Sequence, residues 1–275
     1  MKPLASIAVI VSVLAVIVEL SVASARREEG RLLEEFTSAT RRQAQASAEV
    51  LSARLDALDQ DTRVLTDLVE RSRHSPEHDP AIERRIAETT FRTLAVVVPH
   101  YRMLSLNRPD GQAEIVAVDP TESSPTVEAL TPHMQHLARE VSARHVKAIG
   151  EPARHGGRSF LLYGTPVKDG GAVIVASDAA MFLSAGAWPS MSLARLFVTD
   201  PGGVVWAGCT TTGGCSATDS ETVTKYFQAD APSALQLAPE AAELLGVTRA
   251  SAVQVSERVT RPTGNWVVTW VASSR

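Results

Sequence analysis

The 275-residue sequence has few cysteines, few aromatic residues and no excess of positive charge. Its net charge is −4 at pH 7, with acidic residues interleaved among the arginines, which excludes the clustered basic face that nucleic-acid binding needs. The sequence also lacks a Gly-X-Ser-X-Gly elbow, a metalloprotease helix and a glycine-rich phosphate loop. We therefore expect no nucleic-acid partner, no cofactor and no enzyme of these classes.

The only two cysteines, Cys209 and Cys215, are separated by Thr-Thr-Thr-Gly-Gly. Such a pair would be free thiols in the cytosol, but outside the membrane it favours a disulfide. A loop this short contributes about 2–2.5 kcal/mol in the chain-entropy model. A metal site would need two further ligands, and the neighbouring sequence supplies none at ligand spacing. The sequence predicts a structural disulfide.

The histidines also fail to predict a metal site. His133 and His136 are three residues apart and share one face of a predicted helix. His145 lies about 180° around the same helix, so it cannot join them. Because exposed histidines are common on helices, we expect no metal here.

Helix-breaking residues are scarce near the start of the chain. Residues 4–25 form an apolar run interrupted by Glu19 and a few serines, and residues 26–73 contain no proline and one glycine, Gly30. A helix of 22 residues is roughly 33 Å long, enough to cross a hydrocarbon core of about 30 Å. We predict a membrane anchor over 1–25 and a long stalk helix over 26–75.

The anchor has an alternative interpretation. Lys2, the apolar run and the Ala23-Ser24-Ala25 ending also fit a secretory signal that is cleaved. The helical pattern continues across that site, which favours an uncleaved anchor. Both interpretations place the remaining chain outside the cytoplasm.

The stalk carries a continuous stripe of apolar or small residues at steps of three and four. Its members are Leu33, Phe36, Thr40, Ala44, Ala48, Leu51, Leu55, Leu58, Thr62, Leu65 and Val69. Such a stripe must be buried against a domain, against a second copy of the helix, or both. Because it is longer than one domain can cover, we predict a homodimer through the stalk helix.

The remaining sequence predicts an α+β fold. Extended runs around turn residues indicate β-hairpins over 101–118, 159–176, 196–207 and 252–272. Helical patterns lie between them, over 81–98, 125–148, 219–229 and 239–246, and Pro132 must lie in a first turn or mark a break.

Residues 196–207 repeat the strand, Pro-X-Gly turn and strand pattern of 104–115, which favours two units with antiparallel sheets, over 76–185 and 186–275. A single larger mixed sheet is the alternative.

These motifs resemble the double Cache superfamily of extracytoplasmic sensor domains, whose units are PAS-like. The resemblance rests on the hairpin at 104–118, the strand Gly170–Asp178, the hairpin at 196–207 and the strand 264–270, and it covers most of residues 28–272. It implies a sensor of a histidine kinase or chemoreceptor in the bacterial inner membrane, facing the periplasm. It also implies that 76–185 is the membrane-distal, ligand-binding unit and that 186–275 is membrane-proximal. Either a kinase domain of a two-component system lies beyond residue 275, or the chain is a receptor-like protein without its own transmitter.

Four residues are candidates for a ligand pocket: Arg102, Arg158, Tyr163 and Asp178. Each lies on or at the end of a predicted strand. An arginine can hold a carboxylate bidentately, a tyrosine can cap a ligand, and an aspartate can pair with an amine. The resemblance implies that Asp178 occupies the place of a pocket aspartate, although the Arg-X-Trp-Tyr stretch of many amino-acid-binding members is missing. The alternative is that Tyr163 is a core residue and Arg102 solvates a sheet edge.

We therefore expect a non-catalytic sensor region that binds a small molecule. One alternative is an envelope assembly module that uses its stalk for protein contacts and has no ligand. The other is a secreted hydrolase, for which the sequence contains no nucleophile and base at a spacing characteristic of a catalytic site.

Overall fold

The chain forms two antiparallel sheets beside one very long helix. The computed structural model describes residues 2–74, 80–184, 194–210, 214–228, 234–247 and 252–273. The helices are α1 Lys2–His74, α2 Pro80–Val97, α3 Ser124–Arg144, α4 Ala179–Ser184, α5 Glu221–Gln228 and α6 Pro239–Leu244. The strands are β1 Tyr101–Asn107, β2 Ala113–Val118, β3 Ala148–Ile149, β4 Ala153–His155, β5 Arg158–Pro166, β6 Ala172–Asp178, β7 Ala194–Thr199, β8 Val205–Thr210, β9 Gly214–Ala217, β10 Ala234–Gln236, β11 Ala252–Arg261 and β12 Gly264–Ser273. The predicted α+β class is confirmed.

Helix α1 packs along both sheets with the stripe predicted from the sequence. Leu51, Leu58 and Leu65 are completely or almost completely buried, and α1 contacts β5, β6, β11 and β12. A polar residue on this face is also hydrogen-bonded to the second sheet: Trp270 Nε1 donates to Ser47 Oγ at 2.9 Å. The stripe is thus covered over much of its length by this chain's own sheets.

The beginning of α1 contains the predicted anchor. Among the residues that the structure describes, no helix has both the length and the apolar character required to cross a membrane. The side chains of residues 2–16 lie outside the description. The anchor over 1–25 stays a prediction.

The first sheet is built from strands β1 to β6. Its strand order is β2-β1-β6-β5-β3, with β4 also paired to β5. The hairpins β1–β2 and β5–β6 are those predicted, and they join through the pairing of β1 with β6. Helix α3 covers one face of this sheet, while α1 and α2 lie against the other.

Helix α3 does not end or begin at Pro132, so that prediction is wrong. The helix runs from Ser124 to Arg144 with Pro132 inside it. Leu130 and Met134, on either side, are buried against the sheet and hold this segment in place. The hydroxyl of Thr131 donates to the carbonyl of Val127 at 2.7 Å. Burial of the apolar face therefore outweighs the hydrogen bond that proline cannot make.

Gly164 marks the closest approach between β5 and α3. A Cβ at this position would lie 2.7 Å from Val141 Cγ2 and 3.0 Å from Ile174 Cδ1. We expect Gly164→Ala to lower the free energy of unfolding by about 1–3 kcal/mol, because it overfills a packed contact. Urea unfolding measures this. In Gly30→Ala the new Cβ would meet nothing within 4 Å, so this helical control should not lose stability. Equal effects of the two changes would contradict the packing.

The second sheet has the strand order β10-β11-β12-β7-β8-β9. Its hairpins β7–β8 and β11–β12 are those predicted from the sequence. Because β1–β6 and β7–β12 form separate sheets, the alternative of one mixed sheet is wrong. Helices α5 and α6 supply residues to a separate apolar cluster with this sheet, and α1 packs on β11 and β12.

Cys209 and Cys215 belong to the neighbouring strands β8 and β9. The backbone pairs Thr210 with Gly214; Cys209 directly precedes Thr210 on β8, and Cys215 directly follows Gly214 on β9. Their side chains lie outside the described part of the chain. The disulfide stays a prediction.

Candidate functional site

Three of the four predicted site residues meet at one end of the first sheet. Arg158 begins β5, Asp178 ends β6, and Arg102 is the second residue of β1. In the antiparallel register Phe160 pairs with Asp178, so the start of β5 lies beside the end of β6. The strand order places β1 on the other side of β6. Strand pairing therefore brings together residues that are far apart in the sequence.

Arg158 is the centre of an ion-pair network. Its Nε and Nη2 donate to Asp178 Oδ2 at 3.0 and 2.8 Å. Its Nη1 lies 2.9 Å from both carboxylate oxygens of Glu122, which is in the loop between β2 and α3. The side chains of Glu122 and Asp178 are 5% and 8% exposed, whereas that of Arg158 is 37% exposed. The guanidinium is thus held at the surface between two buried carboxylates.

Arg102 adds a second cation to the network. Its Nη1 donates to Asp119, its Nε lies 3.7 Å from Glu122 Oε2, and its Nη2 lies 2.7 Å from Met181 Sδ. The β1–β6 register shifts between Tyr101 and Met103, so Arg102 lies at an irregularity of the ladder. Such irregularities re-aim side chains at sheet ends.

The network contains more negative than positive charge. Arg102 and Arg158 supply two cations, while Asp119, Glu122 and Asp178 supply three carboxylates. Burial opposes the charge on Arg158, but hydrogen bonds to Asp178 and Glu122 outweigh it and raise the pKa of the guanidinium. The excess carboxylate favours a ligand that brings a positive group, and the arginines favour one that brings a carboxylate.

Asp119 is held in its ionised form. Desolvation would raise its pKa, but hydrogen bonds from the backbone and hydroxyl of Thr121 and from Arg102 outweigh this and lower the pKa. The sequence analysis missed both Asp119 and Glu122. They lie in a short polar loop whose path over the strand ends depends on α3 packing against the sheet.

His100 lies next to the network and titrates far from its usual range. Burial, together with the charges of Arg54 and Arg102, lowers its pKa to about 4, although the charge of Asp178 acts in the opposite direction. Its ring is 4.7 Å from the ring of Tyr101 between centroids. His100 is therefore neutral at pH 7.

Tyr163 does not join the other three residues. It is 4% exposed and belongs to the apolar cluster on the α1 side of the sheet. Its hydroxyl donates to Asp59 Oδ1 at 2.8 Å, and Lys147 binds the same carboxylate. Burial and the neighbouring Asp59 raise the pKa of the Tyr163 phenol. This position matches the alternative interpretation, in which Tyr163 is a core residue. Its hydrogen bond to Asp59 links β5 to α1.

Helix α4 connects the network to α1 and to the second sheet. Asp178 Oδ1 accepts a hydrogen bond from the backbone N–H of Met181 at 3.1 Å, in the first turn of α4. The carbonyl of Phe182 accepts one from Arg54 Nη1 of α1 at 3.0 Å. Helix α4 also packs on β8 and β9. These hydrogen bonds join Asp178 to Arg54 of α1 through Met181 and Phe182.

The charged groups of the network are paired with one another. Among the described residues, open clefts lie elsewhere: one of about 480 Å³ is lined by Arg154, Asp200 and their neighbours, and one of about 700 Å³ by Asp67, Glu70 and Lys168 among others. Within the described ranges no group of three or more His, Cys, Asp or Glu could hold a metal ion. A ligand carboxylate that binds Arg158 would replace one of its two carboxylate partners, and of these Glu122 lies in the loop between β2 and α3 whereas Asp178 ends β6.

Comparison with known proteins finds similarity in structure. No family model and no curated protein matches the sequence. The extracellular domain of the candidate histidine kinase rpHK1S-Z16 superposes with a TM-score of 0.58 at 16% identity, over 88% of this chain and 96% of that one. The ligand-binding domain of the Pseudomonas aeruginosa chemoreceptor PctC, solved with GABA, gives 0.53 at 12% identity, over 84% and 96%.

A third structure, an extracellular ligand-binding receptor from Desulfohalobium retbaense, gives a TM-score of 0.54 at 13% identity. The match covers 84% of this chain, which spans only 39% of that receptor. The double Cache resemblance inferred from the sequence is thus confirmed in the fold. The chain shares its fold with the extracellular domain of a candidate histidine kinase and with the ligand-binding domain of a chemoreceptor.

Proposed function

We propose that this chain is the sensing region of a membrane-anchored bacterial receptor, of the histidine kinase type, and that it binds a small molecule at the ion-pair network. The observation that carries the proposal is Arg158, held between the buried carboxylates of Glu122 and Asp178 at the strand ends of the first sheet. In this proposal the unit 76–185 is membrane-distal, the unit 186–275 is membrane-proximal, and residues 1–25 anchor the chain in the inner membrane, facing the periplasm.

The ligand class follows from the charges of the network. A small zwitterion carries a carboxylate that can replace Glu122 on the guanidiniums of Arg158 and Arg102, and an ammonium group that can pair with Asp178. The site offers both signs of charge within one cluster. An amino acid or a related amine-carboxylate fits this chemistry. The similar chemoreceptor solved with GABA holds a ligand that carries the same two groups.

Signal transmission would begin at Asp178. Because its carboxylate accepts a hydrogen bond from the first turn of α4, a ligand ammonium that attracts it changes the position of that helix. The Phe182 carbonyl of α4 is bonded to Arg54 on α1, so the change reaches the stalk. The sensing region itself is non-catalytic in this proposal, and a kinase domain beyond residue 275 would convert the shift into an output.

Thermal unfolding of the full chain against a panel of amino acids, organic acids, purines, polyamines and divalent metals tests the proposal. A ligand at 100 times its dissociation constant stabilises by about 2.7 kcal/mol, or roughly 5–10 °C for a domain of this size. We expect this rise from a compound with both an amine and a carboxylate, and no rise in Asp178→Asn. Asp110→Asn, an exposed aspartate of the β1–β2 turn, is the matched control and should keep the rise.

Three outcomes would contradict the proposal. A flat panel on well-folded protein would leave the assembly module as the better account. A rise that Asp178→Asn retains would place the ligand elsewhere in the chain. A rise with metals or purines alone would contradict the ligand class.

A further inference from the structure

An open cleft of about 480 Å³ lies between the edge of the first sheet and the β7–β8 turn of the second. We call it the inter-sheet cleft. The first sheet contributes Arg154 of β4 and the connection between β3 and β4, and the second sheet contributes residues 200 and 202–205. Small-molecule sites have volumes of about 300–1,000 Å³, so the cleft is large enough for a ligand.

The walls of the inter-sheet cleft are partly apolar. Ile149 and Pro152 line it from the first sheet, and Val204 and Val205 line it from the second. Ile149, Pro152 and Val204 are half-buried, so each still has surface that a ligand can cover. Burying this apolar surface would stabilise a bound hydrocarbon body.

Arg154 supplies the positive charge of the cleft. Its Nη2 donates to the carbonyl of Ala217 at 3.4 Å, and its Nη1 pairs with Asp219, so it reaches from β4 to the second sheet. Thr218 and Thr224 also line the cleft, and both are half-buried. A guanidinium with hydroxyl groups nearby is suited to a carboxylate, which accepts several hydrogen bonds.

The ion pair of Arg154 can be exchanged at little cost. The side chains of Arg154 and Asp219 are 45% and 82% exposed. Exposed pairs of this kind contribute about 0–1 kcal/mol. A ligand carboxylate that replaces Asp219 on Arg154 therefore gives up little of the stability of the free chain.

The other buried charge of the cleft is already satisfied by the chain. Asp200 is 3% exposed, and its Oδ1 accepts a hydrogen bond from the backbone N–H of Val204 at 2.9 Å. Its Oδ2 accepts one from Trp206 Nε1 at 3.1 Å. Because these donors hold the carboxylate in the turn, Asp200 does not offer the ammonium partner that Asp178 offers at the network. The cleft therefore favours a carboxylate that carries no amine.

We propose that the inter-sheet cleft is a second ligand site, which binds a monocarboxylate with a short apolar body. The carboxylate binds Arg154 in place of Asp219, and the body lies between the apolar walls contributed by the two sheets. Arg102, Arg158 and Asp178 do not line this cleft, so the proposal does not depend on the ligand of the network. A molecule in the cleft contacts both sheets at once and would hold them together at this edge.

Thermal unfolding of the full chain in detergent micelles tests the site with hexanoate, hexanol and hexylamine. These probes share one hydrocarbon body and differ in charge at neutral pH. At ten times its dissociation constant, hexanoate should raise the unfolding temperature by about 3–6 °C. We expect no such rise from the alcohol or the amine. Sodium chloride at equal ionic strength is the control for salt. No rise with hexanoate, or equal rises with all three probes, would overturn the proposal.

Substitutions locate the hexanoate site. Arg154→Gln and Val204→Asp should each remove the rise, the first by deleting the cation and the second by placing a negative charge on an apolar wall. Arg195→Gln, an exposed arginine of the second sheet that does not line the cleft, should retain it. Asp178→Asn should also retain it. A rise that persists in Arg154→Gln would overturn the proposal, and its loss in Asp178→Asn alone would place hexanoate at the network instead.

Discussion

Arg158→Met is expected to lower the free energy of unfolding by about 2–4 kcal/mol at pH 7. The change removes the cation that pairs with Glu122 and Asp178, whose side chains are 5% and 8% exposed. Removing the cation that directly pairs with buried carboxylates is among the costliest single changes. The expected loss in the free energy of unfolding is smaller than for a fully buried pair, because Arg158 itself is 37% exposed and partly screened by solvent. Urea unfolding, followed by far-UV circular dichroism, measures the loss.

Arg108→Met is the matched control for this prediction. Arg108, in the turn of the β1–β2 hairpin, pairs with Glu114 at 3.0 Å, but its side chain is 58% exposed. Exposed pairs contribute about 0–1 kcal/mol, so the control should remain close to the parent. If both variants lost the same stability, the network would be an ordinary surface feature.

The stability of the chain should fall steeply between pH 7 and pH 4.5 because of His100. Its pKa in the folded chain is about 4, below the ordinary value of 6.5. Between these two pH values His100 binds a proton in the unfolded chain but not in the folded chain. The free energy of unfolding therefore falls as the pH falls from about 6.5 towards 4. Over this window the loss due to His100 is about 2–3 kcal/mol.

Urea unfolding at pH 7 and pH 4.5 isolates this contribution when the parent is compared with His100→Gln. The groups that face His100 are Arg54 on α1, Arg102 on β1 and Asp178 on β6, and they remain in the variant. The variant should lose about 2–3 kcal/mol less than the parent over the same pH interval. An identical pH dependence in both proteins would show that His100 is protonated freely in the fold.

Much of the fold follows from local sequence patterns. The hairpins β1–β2, β5–β6 and β11–β12 are predictable because apolar alternation and turn residues such as Pro-Asp-Gly are both local signals. The pairing of β1 with β6 joins strands about 70 residues apart, and no local pattern specifies it. The prediction that Pro132 lies in a first turn or breaks the helix was wrong for a similar reason, since the burial that keeps α3 intact depends on the sheet beneath it.

The candidate site was predictable in part. Arg158 and Asp178 lie at strand ends, and hairpin pairing alone brings them close. Tyr163 could have been separated from them by its position, because it lies five residues after Arg158 and side chains alternate between the two faces of a strand. The position of Glu122 could not be predicted from the sequence, since it depends on a loop that crosses the strand ends.

The most direct test of ligand sensing at the network is one calorimetric titration. The amine-carboxylate that stabilises the parent most is titrated into the full chain and into Asp178→Asn at pH 7. We predict one site per chain in the parent and an affinity at least tenfold weaker in the variant, because the ammonium of the ligand loses its carboxylate partner. Equal affinity in the two proteins would contradict the account and place the binding site away from Arg158 and Asp178.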